Sequence, residues 1–462
     1  MEESERIRGH WWLPNNRTCR HIGWLSYDKD SGARLELSIE VGSLPFSQSD
    51  AVYGLIHGET DDGREISLAQ CFLLGPLRLT KFIFAHFIFD GFLLPSVDDA
   101  NIKTITAAIP FLSTWFGSTG LDVAHSTDYR DFVITYKSPP TLTIQVNPSM
   151  QIEFSVGTSH IPMRGLPGAK LEFRETVRLS LHTVSSESFR DLLSSLQAVS
   201  DLFTLMCMNL CSAEEIHLEG DFTPVINDGK VRYPHARLHF SPVYSPEKKT
   251  VPHPMDLFLR RADLGDNLQS VLVRWMDISN DLKPVRALYL SALYGEHTYI
   301  ENKFLSLCQA AEIFHRRFRR GEYMNPDKYE NEVLPKLVSL IPSELPGELT
   351  EAMAQRFEYL NEYSLAKRLK ELVSENQDTI FELVPDIKEV VRSIVEARNH
   401  FTHFSPKGPH HEINGEKIQR YVHILRMIVE LSVLKEIGVA SEALGSAAQK
   451  NEIYRRMFRL NR

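Results

Sequence analysis

The residues best suited to chemistry lie in one short stretch near the C-terminus, Glu396-Ala-Arg-Asn-His-Phe-Thr-His-Phe404. This stretch places a cation, an amide and two imidazoles close together, at Arg398, Asn399, His400 and His403. Arginine stays protonated at cellular pH, whereas an imidazole with a free pKa of about 6.5 can gain or lose a proton there. Such a set can hold a phosphate group and move a proton beside it.

A cation and an imidazole, without carboxylates or thiols at metal-ligand spacing, suit cleavage of an RNA phosphodiester. In that reaction the ribose 2′-hydroxyl attacks the neighbouring phosphorus, so the substrate supplies its own nucleophile. His403 would move the proton as general acid or base. Arg398 would hold the nonbridging oxygens as their charge grows. This chemistry requires no metal ion and no cofactor, and the sequence predicts neither.

Apolar residues at helical spacing predict that a helix over 385–404 carries these side chains. A proline suits the first helical turn, where Pro385 would lie, and Pro406-Lys-Gly-Pro409 would stop the helix. The predicted buried stripe consists of Ile387, Val390, Val391, Ile394 and Val395.

On an ideal helix, Arg398 and His403 are separated by about 140° around the axis, so they do not share a face. They can reach one phosphodiester if the helix frays or turns between them. Alternatively, a second copy of the chain supplies the complementary half. The sequence leaves both arrangements open.

The same residues also have ordinary structural explanations. An arginine and a histidine at this spacing occur together by chance in long chains, and helix ends attract cations. We expect His400 to be packed or solvated, and His410 and His411 to lie at the surface. Glu312, on an earlier helix, could hydrogen-bond to Arg398 inside a bundle or remain an ordinary solvated carboxylate.

The first part of the chain has the pattern of short strands separated by turns. Alternation in Leu35, Leu37, Ile39 and Val41 places the apolar side chains on one face of a strand. Thr60-Asp-Asp-Gly63 predicts a hairpin, because Asp-Gly tolerates the positive φ angles of tight turns. These patterns favour an antiparallel sandwich or a barrel-like sheet.

After Pro284 the pattern changes to long apolar runs at helical period. The predicted fold class is therefore α+β and multidomain, with a β-rich domain at 1–285 and an all-α helical bundle at 286–462. A helix at 185–210 should pack on the N-terminal sheet. Within the bundle, helices are predicted at 287–320, 327–341, 346–375, 385–404, 415–437 and 440–459.

Charge and composition restrict the possible functions further. The formal charge of −9 argues against a protein that coats nucleic acid through bulk electrostatics. Residues 287–462 carry a net charge of roughly −1 and the first part roughly −8, so the C-terminal part would handle a polyanion.

The sequence shows no sign of a membrane or secreted protein. No secretory signal is apparent, and the most apolar window, Phe82–Leu94, is too short to cross a bilayer. We therefore expect a cytoplasmic protein without membrane contact.

The five cysteines indicate a reducing compartment, because their number is odd and the chain is large. Cys207 and Cys211 would share a helical face. A zinc site there is disfavoured because no second pair of ligands lies at the required spacing.

Several segments resemble one known family. Arg398-Asn-His-Phe-Thr-His403 matches the R-N-x-x-x-H form of the motif of HEPN domains, and Ile300–Arg316 resembles the opening helix of ApeA-type HEPN domains. The N-terminal half is similar to the ApeA N-terminal domain in His10-Trp-Trp-Leu-Pro14, Gly23-Trp-Leu25 and Tyr53-Gly-Leu-Ile-His-Gly58. The resemblance covers nearly the whole chain.

This resemblance implies an antiphage defence protein of the abortive-infection kind, with a sensing or regulatory β-rich domain and a metal-independent HEPN endoribonuclease. The products of cleavage would carry a 2′,3′-cyclic phosphate. Arg398 would stabilise the scissile phosphate, Asn399 would orient it or the arginine, and His403 would be the general acid or base. The implied partners are an RNA substrate, a phage-encoded trigger and a second copy, since HEPN enzymes commonly build their site at a dimer interface.

Two other classes of function compete with this one. In the first, a noncatalytic bundle binds a nucleotide or a protein while the β-rich domain senses a phage component. In the second, the N-terminal sheet is a carbohydrate or peptide receptor that uses Trp11, Trp12 and Trp24. Burial of Trp11 and Trp12 under the sheet and a loop is the structural alternative to that receptor.

Overall fold

The computed structural model of the chain describes residues 6–28, 32–38, 52–76, 80–96, 101–125, 132–161, 172–220, 225–227, 230–232, 236–240, 253–295, 298–403 and 414–459. The chain divides into two compact units, Met1–Met276 and Asp277–Arg462. The division falls inside a helix, whereas the sequence pattern predicts a domain limit at 285.

The described part of the first unit is built mainly of strands. The strands are β1 (Arg6–Trp12), β2 (His21–Asp28), β3 (Gly32–Ser38), β4 (Val52–Thr60), β5 (Glu65–Pro76), β6 (Thr80–Asp90), β7 (Asn101–Ala108), β8 (Leu121–His125), β9 (Phe132–Tyr136), β10 (Leu142–Asn147), β11 (Met150–Ile161), β12 (Glu172–Ser188), β13 (Glu214–Gly220), β14 (Val225–Asn227), β15 (Lys230–Arg232) and β16 (Ala236–Phe240). The helices are α1 (Leu112–Phe116), α2 (Phe189–Cys207), α3 (Arg261–Leu264) and α4 (Leu268–Tyr294), of which α4 continues into the second unit.

The first six strands close into a barrel. Strand β6 pairs with β5 on one side and with β3 on the other, and β2, β1 and β4 complete the ring. Each of these pairings is antiparallel. The fold class is therefore confirmed, and the barrel-like alternative is the one that occurs. The interior is filled by Trp11, Leu25, Leu35, Leu37, Ile56, Ile66, Leu68, Ile83 and Ile88.

The alternating strand was predicted correctly over its described part. Leu35 and Leu37 of β3 are buried, while Glu36 between them pairs with Arg6 on the outer surface at 2.7 Å. Ile39 and Val41 lie outside the described residues.

The sheet extends beyond the barrel because the second half of β6 also pairs with β16. From there the order is β13, β7, β12, β11 and β10. Helix α2 packs on β7 and β12, which confirms the helix predicted at 185–210. Its Phe203 ring lies 4.8 Å from Trp115, centroid to centroid. The helix begins after Ser188, whose hydroxyl accepts from the Asp191 amide at 3.2 Å.

The predicted hairpin forms in the barrel. Strands β4 and β5 pair across the turn, with Gly63 at φ 82°, as the Asp-Gly pattern predicts.

The two adjacent tryptophans are buried. Trp11 and Trp12 are 0% and 1% exposed, so the structural alternative for these two residues is correct. Trp24 is 36% exposed and lies 4.9 Å from the Arg6 guanidinium. A receptor that stacks ligand on all three rings is therefore excluded.

Gly58 of β4 is required because the Trp11 ring occupies the space beside it. A Cβ atom at position 58 would lie 2.3 Å from two ring carbons, whereas one at Gly54 of the same strand would meet nothing within 4 Å. We expect Gly58→Ala to lower the free energy of unfolding by about 1–3 kcal/mol, because the core must move. Urea unfolding followed by tryptophan fluorescence measures this, since all five tryptophans lie in the first unit.

Gly54→Ala is the matched control for this substitution and should change stability little. Equal destabilisation by the two variants would show that the close approach of Trp11 does not determine the effect.

The described part of the second unit is helical, which confirms the predicted all-α bundle. After α4, its helices are α5 (Ile300–Phe318), α6 (Pro326–Lys328), α7 (Leu334–Ser339), α8 (Gly347–Glu358), α9 (Leu365–Glu375), α10 (Gln377–Leu383), α11 (Ile387–His403), α12 (Gly415–Glu436), α13 (Ser441–Lys450) and α14 (Glu452–Arg459). A π-helical turn, Tyr329–Val333, joins α6 to α7. Helix α12 is buried over most of its surface and packs against α5, α9 and α13.

The helix predicted at 287–320 is wrong in its limits, because α4 and α5 divide this run. Pro284, after which the sequence pattern predicts the helical part to begin, lies inside α4. A proline has no amide hydrogen to donate to the preceding turn. The proline therefore leaves the carbonyl of Asn280, four residues earlier, without its helical donor.

The segments predicted as single helices at 346–375 and 440–459 each form two helices. Between α8 and α9, Glu362 makes a β-bridge with Glu322, which the local pattern could not indicate. Between α13 and α14, Asn451 Oδ1 accepts from the Tyr454 amide at 3.1 Å and begins a new helix.

Candidate active site

Helix α11 carries the predicted site residues at its C-terminal end. It packs against α5 and α9, and the Phe401 ring lies 5.9 Å from Phe304 of α5. These contacts hold the last turns of α11 in place. Most of the predicted apolar stripe is buried, at Ile387, Val390, Val391 and Ile394, and Val395 is half-buried.

Two of the three predicted site residues form a hydrogen-bonded pair. Arg398 is half-buried, Asn399 is exposed, and Arg398 Nη1 donates to Asn399 Oδ1 at 3.2 Å. Burial raises the pKa of the Cys308 thiol on α5, and the positive charge of Arg398 opposes that rise. Arg398 therefore lies near α5, and Asn399 orients one side of its guanidinium.

The Arg398 guanidinium differs from that of Arg319 in its electrostatic environment. No carboxylate among the described residues lies within ion-pair distance of it. Arg319, in contrast, is bound by Glu375 at 2.7 Å and by Glu436 at 2.8 Å. The positive charge of Arg398 is thus available to an anionic ligand, whereas that of Arg319 already serves the fold.

The sequence also offers Glu312, His400, His410 and His411 as polar residues near Arg398. Glu312 pairs with Arg316 at 3.3 Å, and no hydrogen bond to Arg398 occurs in the described part of α5. His400 is exposed, and its ring lies 5.5 Å from that of Phe401. His410 and His411 lie outside the described residues.

Helix α11 continues through His403, so it does not turn between Arg398 and His403. These two positions remain about 140° apart around the helix axis. The His403 imidazole is not among the described side chains. The first predicted arrangement, in which the helix frays or turns between the two residues, does not occur, and the arrangement with a second copy stays a prediction.

A buried polar cluster that the sequence analysis missed lies deeper in the unit. The Glu430 carboxylate of α12 accepts hydrogen bonds from Arg426 Nε at 2.7 Å, from Tyr454 at 2.5 Å, and from Tyr289. Burial, followed by the charge of Glu430, raises the pKa of both tyrosines, so their hydroxyl groups stay protonated and donate. A signal was present in the sequence, because Arg426 and Glu430 interrupt the apolar run 424–434 at a spacing of four.

Neither metal ligands nor a membrane segment stand out in the described ranges. No group of three or more His, Cys, Asp or Glu side chains there could hold a metal ion. Cys207 and Cys211 are buried thiols. Among the same residues, no helix has the length and apolarity needed to span a bilayer.

Comparison with known families gives two matches that together cover most of the chain. The model of ApeA N-terminal domain 1 matches residues 6–275, which include the barrel and its extended sheet. The model of the Apea-like HEPN domain matches residues 305–443, which include α11 with Arg398, Asn399 and His403. No curated protein and no solved structure gave a significant match. The chain therefore belongs to the ApeA-like HEPN proteins, a family of HEPN-based antiphage nucleases.

Proposed function

We propose that this protein is a metal-independent endoribonuclease that acts in abortive infection, and that Arg398, Asn399 and His403 form its active site. The observation that carries the proposal is the Arg398 guanidinium, which is positioned by Asn399 and free of carboxylate partners among the described residues. A buried or half-buried cation without a counterion favours an anionic ligand. The phosphodiester of RNA is such a ligand.

The reaction follows from the chemistry of the substrate and of these side chains. His403 takes the proton from a ribose 2′-hydroxyl, and the 2′ oxygen attacks the adjacent phosphorus. Arg398 stabilises the added negative charge on the nonbridging oxygens. The bond from phosphorus to the 5′ oxygen breaks, and that oxygen takes a proton from water. The products are a 2′,3′-cyclic phosphate and a 5′-hydroxyl.

Two copies of the chain build each active site in this proposal. The separation of positions 398 and 403 by about 140° around a continuous α11 supports this arrangement. Arg398 of one copy would therefore act with His403 of the partner subunit. The β-rich unit would restrain this site until it detects a phage component.

The proposal is tested by incubating purified full-length protein, with and without phage lysate, with labelled RNA in the presence of excess EDTA. We expect cleavage to persist and every new 3′ end to carry a 2′,3′-cyclic phosphate, because the nucleophile belongs to the substrate. The same RNA with 2′-deoxyribose at the preferred cleavage position is the matched control and should remain intact there.

Loss of cleavage in EDTA, or cleavage of the 2′-deoxy control, would contradict this mechanism. Saturable binding of RNA or nucleotides without cleavage under every condition would instead favour the noncatalytic module.

A further inference from the structure

A second polar site lies in the helical unit, in a cavity of about 300 Å³ that Arg398 does not line. It is lined by the end of α4, the start of α5, one face of α12 and Met457 of α14. The polar side chains of the lining are Thr298, Lys303, Gln419, His423 and Arg426.

Arg426 contributes a buried hydrogen-bond donor that has no acceptor among the described residues of the unit. The residue is 9% exposed, and its Nε is bound to Glu430 at 2.7 Å. Its Nη2 has no hydrogen-bond partner among the described residues. A buried donor without an acceptor costs about 1–3 kcal/mol, and more for a charged group. The guanidinium is therefore held in place from one side, while its Nη2 has no acceptor among the described residues.

His423 contributes a second donor of the same kind. Gln419 Nε2 lies 2.6 Å from His423 Nε2, so the amide donates to this ring nitrogen and the proton of the neutral ring lies on Nδ1. Burial, followed by the charge of Arg426, lowers the pKa of His423 to about 4, which keeps the ring neutral at pH 7. Its Nδ1 has no hydrogen-bond partner among the described residues.

Lys303 adds a positive charge to the same cavity. No carboxylate in the described parts of the chain forms an ion pair with its ammonium group, and the described lining contains no acidic residue. Glu430 balances the charge of Arg426 from outside the cavity. The residues that line the cavity thus include a cation and two buried donors that have no carboxylate or acceptor partner among the described residues, which is the environment that an oxyanion requires.

We propose that this cavity binds a phosphate group, either as inorganic phosphate or as part of a small phosphomonoester. Arg426 Nη2, His423 Nδ1 and Lys303 Nζ donate to its oxygens. A single water molecule could accept some of these hydrogen bonds, but it would leave the charge of Lys303 unbalanced. This site is independent of RNA cleavage, since it uses neither Arg398 nor His403.

Isothermal titration calorimetry of the full-length protein tests this proposal, with inorganic phosphate and glycerol 3-phosphate titrated separately. We expect saturable binding of one of them at a single site per chain, and the tighter of the two identifies the source of the phosphate group. Lys303→Met and His423→Leu should each weaken binding at least about 10-fold, because each removes a donor to a charged group while keeping a side chain of similar volume.

Lys370→Met is the matched control, because Lys370 is exposed and does not line the cavity. It should leave the affinity unchanged. Absence of binding by the unaltered chain, or equal weakening by the control and by Lys303→Met, would overturn the proposal. Thermal unfolding of each variant confirms that the fold is retained, so a loss of binding is separable from a loss of structure.

Discussion

Arg398→Ala is expected to lower the rate of RNA cleavage by about 100-fold to 1,000-fold, the usual effect of removing one preorganised donor from a developing anion. His403→Ala should lower it by about 100-fold to 10,000-fold, the usual contribution of a general acid or base. The fold should survive Arg398→Ala, because Arg398 forms no ion pair with any described carboxylate. Single-turnover cleavage of a labelled RNA, together with far-UV circular dichroism, measures both effects.

Two neighbours on the same helix supply matched controls. Arg392 and His400 are exposed residues of α11 that lie outside the proposed active site. Arg392→Ala and His400→Ala should therefore retain cleavage close to that of the unaltered protein. If these variants lose as much activity as Arg398→Ala and His403→Ala, general disturbance of α11 explains the loss, and the proposed roles are wrong.

Mixing the two inactive variants tests whether the active site is composite. A heterodimer of the Arg398→Ala and His403→Ala chains would contain one site with both side chains intact, since each site takes one residue from each copy. Cleavage should therefore return when the variants are co-expressed and purified as a heterodimer. Continued inactivity of the heterodimer would exclude this arrangement and leave both residues acting from the same copy.

Glu430→Ala is expected to lower the free energy of unfolding of the helical unit by about 3–5 kcal/mol, the usual cost of breaking a buried ion pair from one side. Glu430 is 0% exposed and is the common acceptor for Arg426, Tyr289 and Tyr454. Its removal leaves a buried cation and two hydroxyl groups without their acceptor. Urea unfolding followed by the helical circular dichroism signal measures the change.

Glu416→Ala is the control for this experiment, because Glu416 is an exposed residue of the first turn of the same helix. We expect a change within about 0.5 kcal/mol for it, as for most surface substitutions. Glu430→Gln should fall between the two, since the amide keeps one acceptor and the volume of the side chain. Equal stability of Glu430→Ala and Glu416→Ala would show that the cluster contributes little to the fold.

Helix α11 and the turn before β5 could be predicted because the residues that determine each of them lie close together in the sequence. The spacing of Ile387, Val390 and Ile394 indicates which face of α11 is buried, and these side chains are buried in the structure. The Asp-Gly turn before β5 was predictable for the same reason. Periodicity and turn chemistry depend on neighbouring residues, and the local backbone follows them.

Long-range pairing was decided by the tertiary structure alone. Closure of the barrel depends on β6 meeting both β3 and β5, and alternation within one strand does not specify its neighbours. The sequence likewise does not distinguish Arg319 from Arg398 as cations. Only the folded unit assigns Arg319 to Glu375 and Glu436 while leaving Arg398 without a carboxylate partner among the described residues.

The sequence by itself thus determined the residue types of the candidate site, the helix that carries them and the class of each unit. The tertiary structure decided that α11 stays helical through His403 and which cations are already neutralised. The physical reason is the range of the interactions. Helical periodicity acts over a few residues, whereas ion pairing and packing depend on which distant segments the fold brings into contact.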